Sequence, residues 1–580
     1  MRGWMGAAGG ILIAVVWPLV AIVQAVDVFD STAAGERAPV VSQLFPPGVA
    51  LGGEERWLIE GRNLGGVERV LVEGGGVEVE VVSVSDRRVV ARARANAGAT
   101  PGYREVRVEG RDGVSNLRLI RVDKLSQVTE AEPNDQAEEA TEVPRGMAGA
   151  GILQARDVDH FRVRARGGPG VRTTIEMEAR RLGASVSPVL TVLSLDGRSL
   201  LQGRETLGVE GDCRLLVELP EDGEYLVQVR DNLWGGDGGA CYRLRVTEEP
   251  FATAIFPLGG AAGKTLRVTA SGGNLPEALF QNVLIPERSG ATLNLPAFRW
   301  AGGLVETGRR LLVGAGVERL ESGGEGTLDK GEAMNGMIAK AGEIDRFRLQ
   351  VERRELVELR VRAERLGSWL DSVLTVRNAR GEVVAENDDP PATLGAGGRE
   401  QETDSRIGVR AEEAGQWVVE LIDRYGRGGA EYGYRLERAP FEPDFAIRVN
   451  LKRAGEAEFN TPTNSEIAVP FAVVAEGATG PITVSAEGLP EGVRSEPVVV
   501  RVRGVNGKGA GELRIKVGRK ASAALSRFRV VGTARLASGK VIEREGSAEV
   551  QVGTAPVGAE AASRTAYHQV QSFPIRVTRP

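Results

Sequence analysis

Apolar and charged residues alternate along much of this chain, as in Val67-Glu-Arg-Val-Leu-Val-Glu and Val77-Glu-Val-Glu-Val-Val. A period of two is that of a strand with one buried face. With 77 glycines and 5% aromatic residues, the composition suits short strands joined by tight turns. At 580 residues the chain is too long for one core, and ordinary domain sizes give about four to six bodies. The expected fold class is all-β, a tandem array of antiparallel β-sandwich domains.

The net charge is -6, with arginines interspersed among aspartates and glutamates, which leaves no basic face for a phosphate backbone and excludes nucleic acid as a partner. The amino terminus reads Met1-Arg2-Gly-Trp, then an apolar run from Ile11 to Val23, then a small-residue exit at Ala25. This is the pattern of an N-terminal signal peptide over residues 1–25. The alternative is an uncleaved anchor, since Gly6 to Ala25 is just long enough to span a bilayer. No cysteine sits there to carry a lipid. No later stretch is long and apolar enough to span, so no membrane span is expected in the mature chain. The expected location is exported: periplasmic, cell-surface or secreted.

Oxidising compartments make and keep disulfides. Cys213 and Cys241 lie 28 positions apart, and a bridge there would stabilise the fold by about 3–4 kcal/mol. The alternative is two buried thiols.

The chain is duplicated. Phe45-Pro46-Pro-Gly48-x-x-x-Gly52 and Gly61-Arg-Asn63-Leu64 match Phe256-Pro257-Leu-Gly259-x-x-x-Gly263 and Gly272-Gly-Asn274-Leu275 at a constant offset of 211. Arg181-Leu182-Gly183 followed by Val189-Leu-Thr-Val192 matches Arg365-Leu366-Gly367 followed by Val373-Leu-Thr-Val376 at an offset of 184. Gly223-Glu-Tyr225 and Tyr242-Arg-Leu244 match Gly415-Gln-Trp417 and Tyr434-Arg-Leu436 at 192. On that last register Cys213 faces Ser405 and Cys241 faces Gly433, so both cysteines are missing together from the second copy. That joint absence favours a bridge.

The shorter module resembles the immunoglobulin-like IPT/TIG domain in its Pro-x-Gly opening, its Gly-x-Asn-Leu turn and the late Gly113-Val-Ser-Asn116. The longer module resembles the bacterial pre-peptidase C-terminal (PPC) domain, a jelly roll related to the collagen-binding domains of collagenases. In the first copy the residues carrying this are Glu130-x-Glu132-Pro-Asn134-Asp135, Gly151-x-Leu153, Asp157-x-Asp159-x-Phe161, Arg181-Leu-Gly183 and Tyr242-Arg-Leu244; in the second, Gly336-x-Ile338, Asp345-x-Phe347, Arg365-Leu-Gly367 and Tyr434-Arg-Leu436. The implied organisation is an IPT/TIG-like domain over 40–122, PPC-like domains over 129–248 and 328–438, an immunoglobulin-like domain over 249–327, and a C-terminal one over 439–580.

A bare acidic loop of this kind reads first as a solvated linker capping a strand. The PPC resemblance implies instead that Glu130, Glu132, Asn134, Asp135, Asp157 and Asp159 hold calcium, a hard cation that takes six to eight oxygens. Asp157 and Asp159, two apart on a strand, would point to one side. In the second copy only Asp345 answers to this set, so calcium is expected in the first copy alone. Asn387, Asp388, Asp389 and Asp404 read as turn formers. Tyr225, Tyr242, Trp417 and Tyr434 fall on alternating strand positions and read as core, while Trp234 and Trp369 are surface candidates. Catalysis has little to stand on. The chain has two histidines, His160 and His568, with His160 read as a surface residue, and no nucleophile elbow or zinc helix. The function expected is an exported, non-catalytic binding or scaffold protein recognising an extracellular protein or polysaccharide. The alternatives are an accessory or remnant of a secreted peptidase system and a hydrolase with an unrecognised carboxylate site.

Overall fold

Alternation in sequence becomes alternation in burial: along Asp345–Val351 every second side chain is buried. The computed structural model describes residues 37–206, 208–236, 239–287, 292–300, 303–305, 307, 309–388, 404–439, 444–451, 457–476, 478, 480–502, 507–552 and 566–578, so the expected signal peptide lies outside the described residues. About 59% of the described residues are strand, and the strands form a tandem all-β array. Among the described residues no helix is long and apolar enough to cross a membrane.

Strands between Val40 and Asp123 make two four-stranded layers, with the hairpin strand Gly113–Val114 paired to one of them. Trp57, Ile59, Val89 and Ile120 fill the space between, and the Trp57 indole donates to the Gly48 carbonyl at 3.0 Å. Strands between Ser126 and Thr247 make two five-stranded sheets. One runs, in spatial order, Ser126–Thr129, Met147–Ile152, Cys241–Thr247, Thr173–Glu178, Cys213–Val217; the other runs Thr141–Val143, Val158–Ala165, Gly223–Asp231, Pro188–Leu193, Ser199–Gly203. The strands from Val317 to Arg438 repeat both orders. The sheets are mixed rather than purely antiparallel, because in each copy both first edge strands pair parallel. Smaller sheets lie between Ala254 and Gly314, and a further pair of layers lies between Asp444 and Thr578.

Thr173–Glu178 is buried at every position. Its polar face is therefore buried too, and a buried carboxylate must be paired. Glu176 meets Arg181, Arg214 and Arg245 at 2.5, 2.6 and 3.1 Å. Glu178 meets Arg243 at 3.1 Å and accepts from the Tyr103 hydroxyl of the first sandwich at 2.9 Å. Arg243, wholly buried, also donates to Asp123 at 2.9 and 3.1 Å. The first sandwich is thus joined to the next body by a closed ionic network.

The array also folds back on itself. Leu117 and Leu119 of the first sandwich are buried in the core of the last. Asn460 bonds both polar groups of the Val114 backbone, at 2.8 and 2.9 Å, and buried Arg107 meets Glu458 at 3.2 Å.

The expected Cys213–Cys241 bridge is absent: both cysteines are buried thiols with no disulfide between them. Their strands sit in one sheet with Thr173–Glu178 between them. Two strand spacings come to about 9–10 Å, and Cα atoms more than about 7 Å apart cannot be bridged. Their joint absence from the second copy has two unrelated causes. Cys241 packs with Phe45 and Ala150 where the first two bodies meet, whereas Gly433 lies against Leu258, the second copy's counterpart of Pro47. Cys213 sits in the core, where Ser405 instead bonds the Ser372 hydroxyl at 2.8 Å.

Candidate metal centre

Glu130 follows the parallel edge strand Ser126–Thr129, and its amide continues that ladder onto the Ala150 carbonyl at 2.9 Å. Its carboxylate turns back across the sheet and accepts the Ile152 amide at 2.7 Å. Asp159 comes from the facing sheet, on Val158–Ala165, and is wholly buried. The Tyr242 hydroxyl lies between them, 3.1 Å from Glu130 and in contact with Asp159. Gly151 makes room for it, since a Cβ there would lie 2.3 Å from that hydroxyl. The Gly-x-Leu motif is thus a clearance for the tyrosine.

Glu132 completes a group of three carboxylates whose oxygens lie within 4.8 Å of one another. Its carboxylate accepts the Asn134 amide at 3.0 Å. The Asn134 side chain is wholly buried, and neither its oxygen nor its nitrogen has a hydrogen-bond partner. Asp159 Oδ1 is likewise buried and unpartnered. Of the other expected ligands, Asp135 accepts the Val158 amide at 3.4 Å and Asp157 caps the Gln154 amide at 2.8 Å. Asp157 precedes the strand and is not on it.

Burial, followed by neighbouring acids, pushes these groups toward protonation. Asp159 is raised to about 9, by burial and then by the charge of Glu130. Glu130 is raised to about 7, mainly by burial. Glu132 is raised by burial and then by Asp157. Like charges packed in a dry site relax by taking up protons or a cation. The oxygens of Glu130, Glu132 and Asp159, with the orphaned Asn134 side chain two residues on from Glu132 in the same loop, fit a hard cation.

The second copy holds more of this centre than its sequence shows. Glu321 does there what Glu130 does: its amide bonds the Asn335 carbonyl at 3.0 Å and its carboxylate accepts the Met337 amide at 3.0 Å. The Tyr434 hydroxyl lies 2.5 Å from Asp345 and 3.4 Å from Glu321, with Gly336 giving clearance. The expectation that Asp345 alone survives is corrected. The loop between the two acids is shorter, so the offset slips from 186 at Asp345 to 191 at Glu321, and the conserved tyrosine and glycine were the signal that could have found it. Glu132-Pro-Asn134 is replaced by Ser322-Gly-Gly324.

Other sequence-predicted positions sort plainly. His160 is buried and not a surface residue, because its Nδ1 lies 3.2 Å from the Asn134 carbonyl under the loop. His568 meets Glu105 at 3.1 Å, between the last and first sandwiches. Asp404 is buried and accepts the Ala363 and Glu364 amides at 3.0 and 2.8 Å, a turn-forming role. Asp388 pairs with Arg424 at 2.8 Å, and Asp389 lies outside the described residues. Tyr225, Tyr242, Trp417 and Tyr434 are core. Trp234 is 49% exposed, whereas Trp369 is half-buried, packed on Tyr432 against the core.

No family model matches the chain, and no curated protein matches it. Several solved structures are similar in parts. One is the Bacteroides ovatus mixed-linkage glucan utilization locus SGBP-B in complex with a mixed-linkage heptasaccharide, at 10% identity over 36% of this chain and 76% of that one, TM-score 0.14. Another is Escherichia coli α2-macroglobulin, at 8% identity over 92% of this chain and 51% of that one, TM-score 0.14. A third is the M60 catalytic domain with two CBM51 domains of Clostridium perfringens ZmpB, at 12% identity over 69% of this chain and 46% of that one, TM-score 0.16. The chain spans about half the length of the last two.

Proposed function

We propose that this is an exported, non-catalytic binding or scaffold protein, held rigid by calcium in its first ten-stranded body and recognising an extracellular protein or polysaccharide. The observation that carries the calcium reading is the convergence of Glu130, Glu132 and Asp159, at a loop whose Asn134 side chain is buried and unpartnered. Calcium would join the loop after Ser126–Thr129 to the strand Val158–Ala165, and so tie one sheet to the other. A non-catalytic role is supported by the two histidines, His160 and His568, each engaged in a structural contact.

The test is thermal melting of the whole protein in calcium and in chelator. A ligand at 100 times its dissociation constant stabilises by about 2.7 kcal/mol. A rise in melting temperature with calcium is expected, absent in Asp159→Asn and reduced in Glu132→Gln. An unchanged melt in the unaltered protein overturns the calcium reading. A glycan and matrix-protein array tests recognition separately.

A further inference from the structure

We propose that the second ten-stranded body is locked by a proton where the first is built for a cation: the Glu321 and Asp345 carboxyls share one proton beneath the Tyr434 hydroxyl. The shared proton ties the chain leaving Val317–Leu320 to the strand Asp345–Val351, and so one sheet to the other.

The geometry argues first by what is missing. The loop Ser322-Gly323-Gly324 has no counterpart of the Glu132 carboxylate or the Asn134 amide. Gly323 and Gly324 stand at φ +66° and +73°, a left-handed backbone that glycine adopts freely. A Cβ on Gly324 would lie 2.5 Å from Asp345 Oδ1, so only a hydrogen fits against that oxygen. Glu343, the remaining nearby acid, already caps the Lys340 amide at 2.8 Å. Two carboxylates and a capped third fall well short of the six to eight oxygens of a calcium site.

It argues next by what is present. Asp345 is wholly buried, and its Oδ1 receives no ordinary N–H or O–H donor. The Glu321 carboxyl is the acid beside it, since the same Tyr434 hydroxyl reaches both. Two ionised carboxylates only accept and so cannot bond each other; a bond between them forms when one keeps its proton. Tyr434 contacts both acids and has a single proton to give. From the surrounding elements the pair faces Glu343, the Tyr434 hydroxyl and the Met337 amide. The Arg346 guanidinium turns away to Glu420 at 3.0 Å. Burial and then Glu321 raise Asp345 to about 7.

A carboxyl raised on folding contributes stability that is complete below its unfolded value and is lost as pH rises through its folded value. The lock therefore holds in acid and opens between about pH 6 and 8. Hydrogen exchange on the whole protein in chelator, at pH 5.5 and 8.5 with intrinsic rates corrected, reads this directly. Peptides covering 317–325 and 344–351 are expected to lose protection about ten-fold at the higher pH, the equivalent of one pKa unit. Glu321→Gln supplies a permanent donor to Asp345, so its protection should not change with pH; Asp345→Asn serves as the second variant. Equal protection at both pH values in the unaltered protein overturns the proposal. So does the same loss in both variants, which marks a general pH effect, and so does calcium restoring these peptides at pH 8.5, which marks a cation site. The first copy's response to calcium is read from its own peptides, so failure of one reading leaves the other intact.

Discussion

Arg243 shows how much a single side chain carries at the first junction. It reaches Asp123, Glu178 and Gln127 without exposing any of its surface. Arg243→Met takes from buried Asp123 and Glu178 their shortest ion pairs and leaves only the longer ones to Arg121 and Arg245; breaking a buried pair costs up to about 3–5 kcal/mol, and chemical unfolding should show a loss approaching that. Asp123 titrates in the opposite sense to Asp345. Its burial is outweighed by Arg243, Arg245 and Arg121, which hold its carboxyl well below the ordinary range. Its contribution is present above the ordinary carboxylate value and is lost as pH falls below it, so acid should weaken the first junction while it strengthens the second centre. The cysteines make a sharper test. Both thiols should react with an alkylating agent in denaturant without prior reduction, and reductant should leave the melting temperature unchanged.

At the scale of elements, alternation was enough to place strands such as Val67–Val72 and Val77–Val84, and the repeated motifs pointed to a repeated topology. What the sequence hid was spatial neighbourhood. Spacing of 28 residues made a bridge between Cys213 and Cys241 attractive, and only the sheet order shows a strand lying between them. Counting along the chain also lost Glu321, because a loop that shortens moves the register while the hydrogen bonds stay in place. Among the six expected ligands, Glu130, Glu132 and Asp159 converge, whereas Asp135 and Asp157 cap backbone amides, a distinction that residue types cannot make. The tyrosine clearance gives an element-scale prediction. Gly151→Ala would drive a methyl into the Tyr242 hydroxyl and the Glu130 carboxylate, 2.3 and 2.1 Å from the added carbon. Overpacking of this kind costs about 1–3 kcal/mol, and it should also abolish the calcium-dependent rise in melting temperature.

For the whole molecule, a string of sandwiches was legible and its closure was not. Nothing in the sequence pairs Val114 with Asn460, 346 positions apart. Asn460→Ala together with Glu458→Arg should detach the last sandwich from the first, increasing the radius of gyration in small-angle scattering. Adding Arg107→Glu should restore part of the compactness, because it rebuilds the ion pair with its charges exchanged. The closure also decides how the chain would carry load. The strand beginning at Val40 is fastened by the Val41 amide to Asn116 at 2.8 Å, and the strand ending at Thr578 pairs with Phe459–Pro462, which holds Asn460 against Val114. Tension applied to those two strands passes through the turn at residues 113–116 before it reaches any other sandwich. A pull would first load this junction, with its Asn460 bonds, its polar contacts to Glu458 and Glu105 and the buried Leu117 and Leu119, and only after it parts begin to stretch the bodies between.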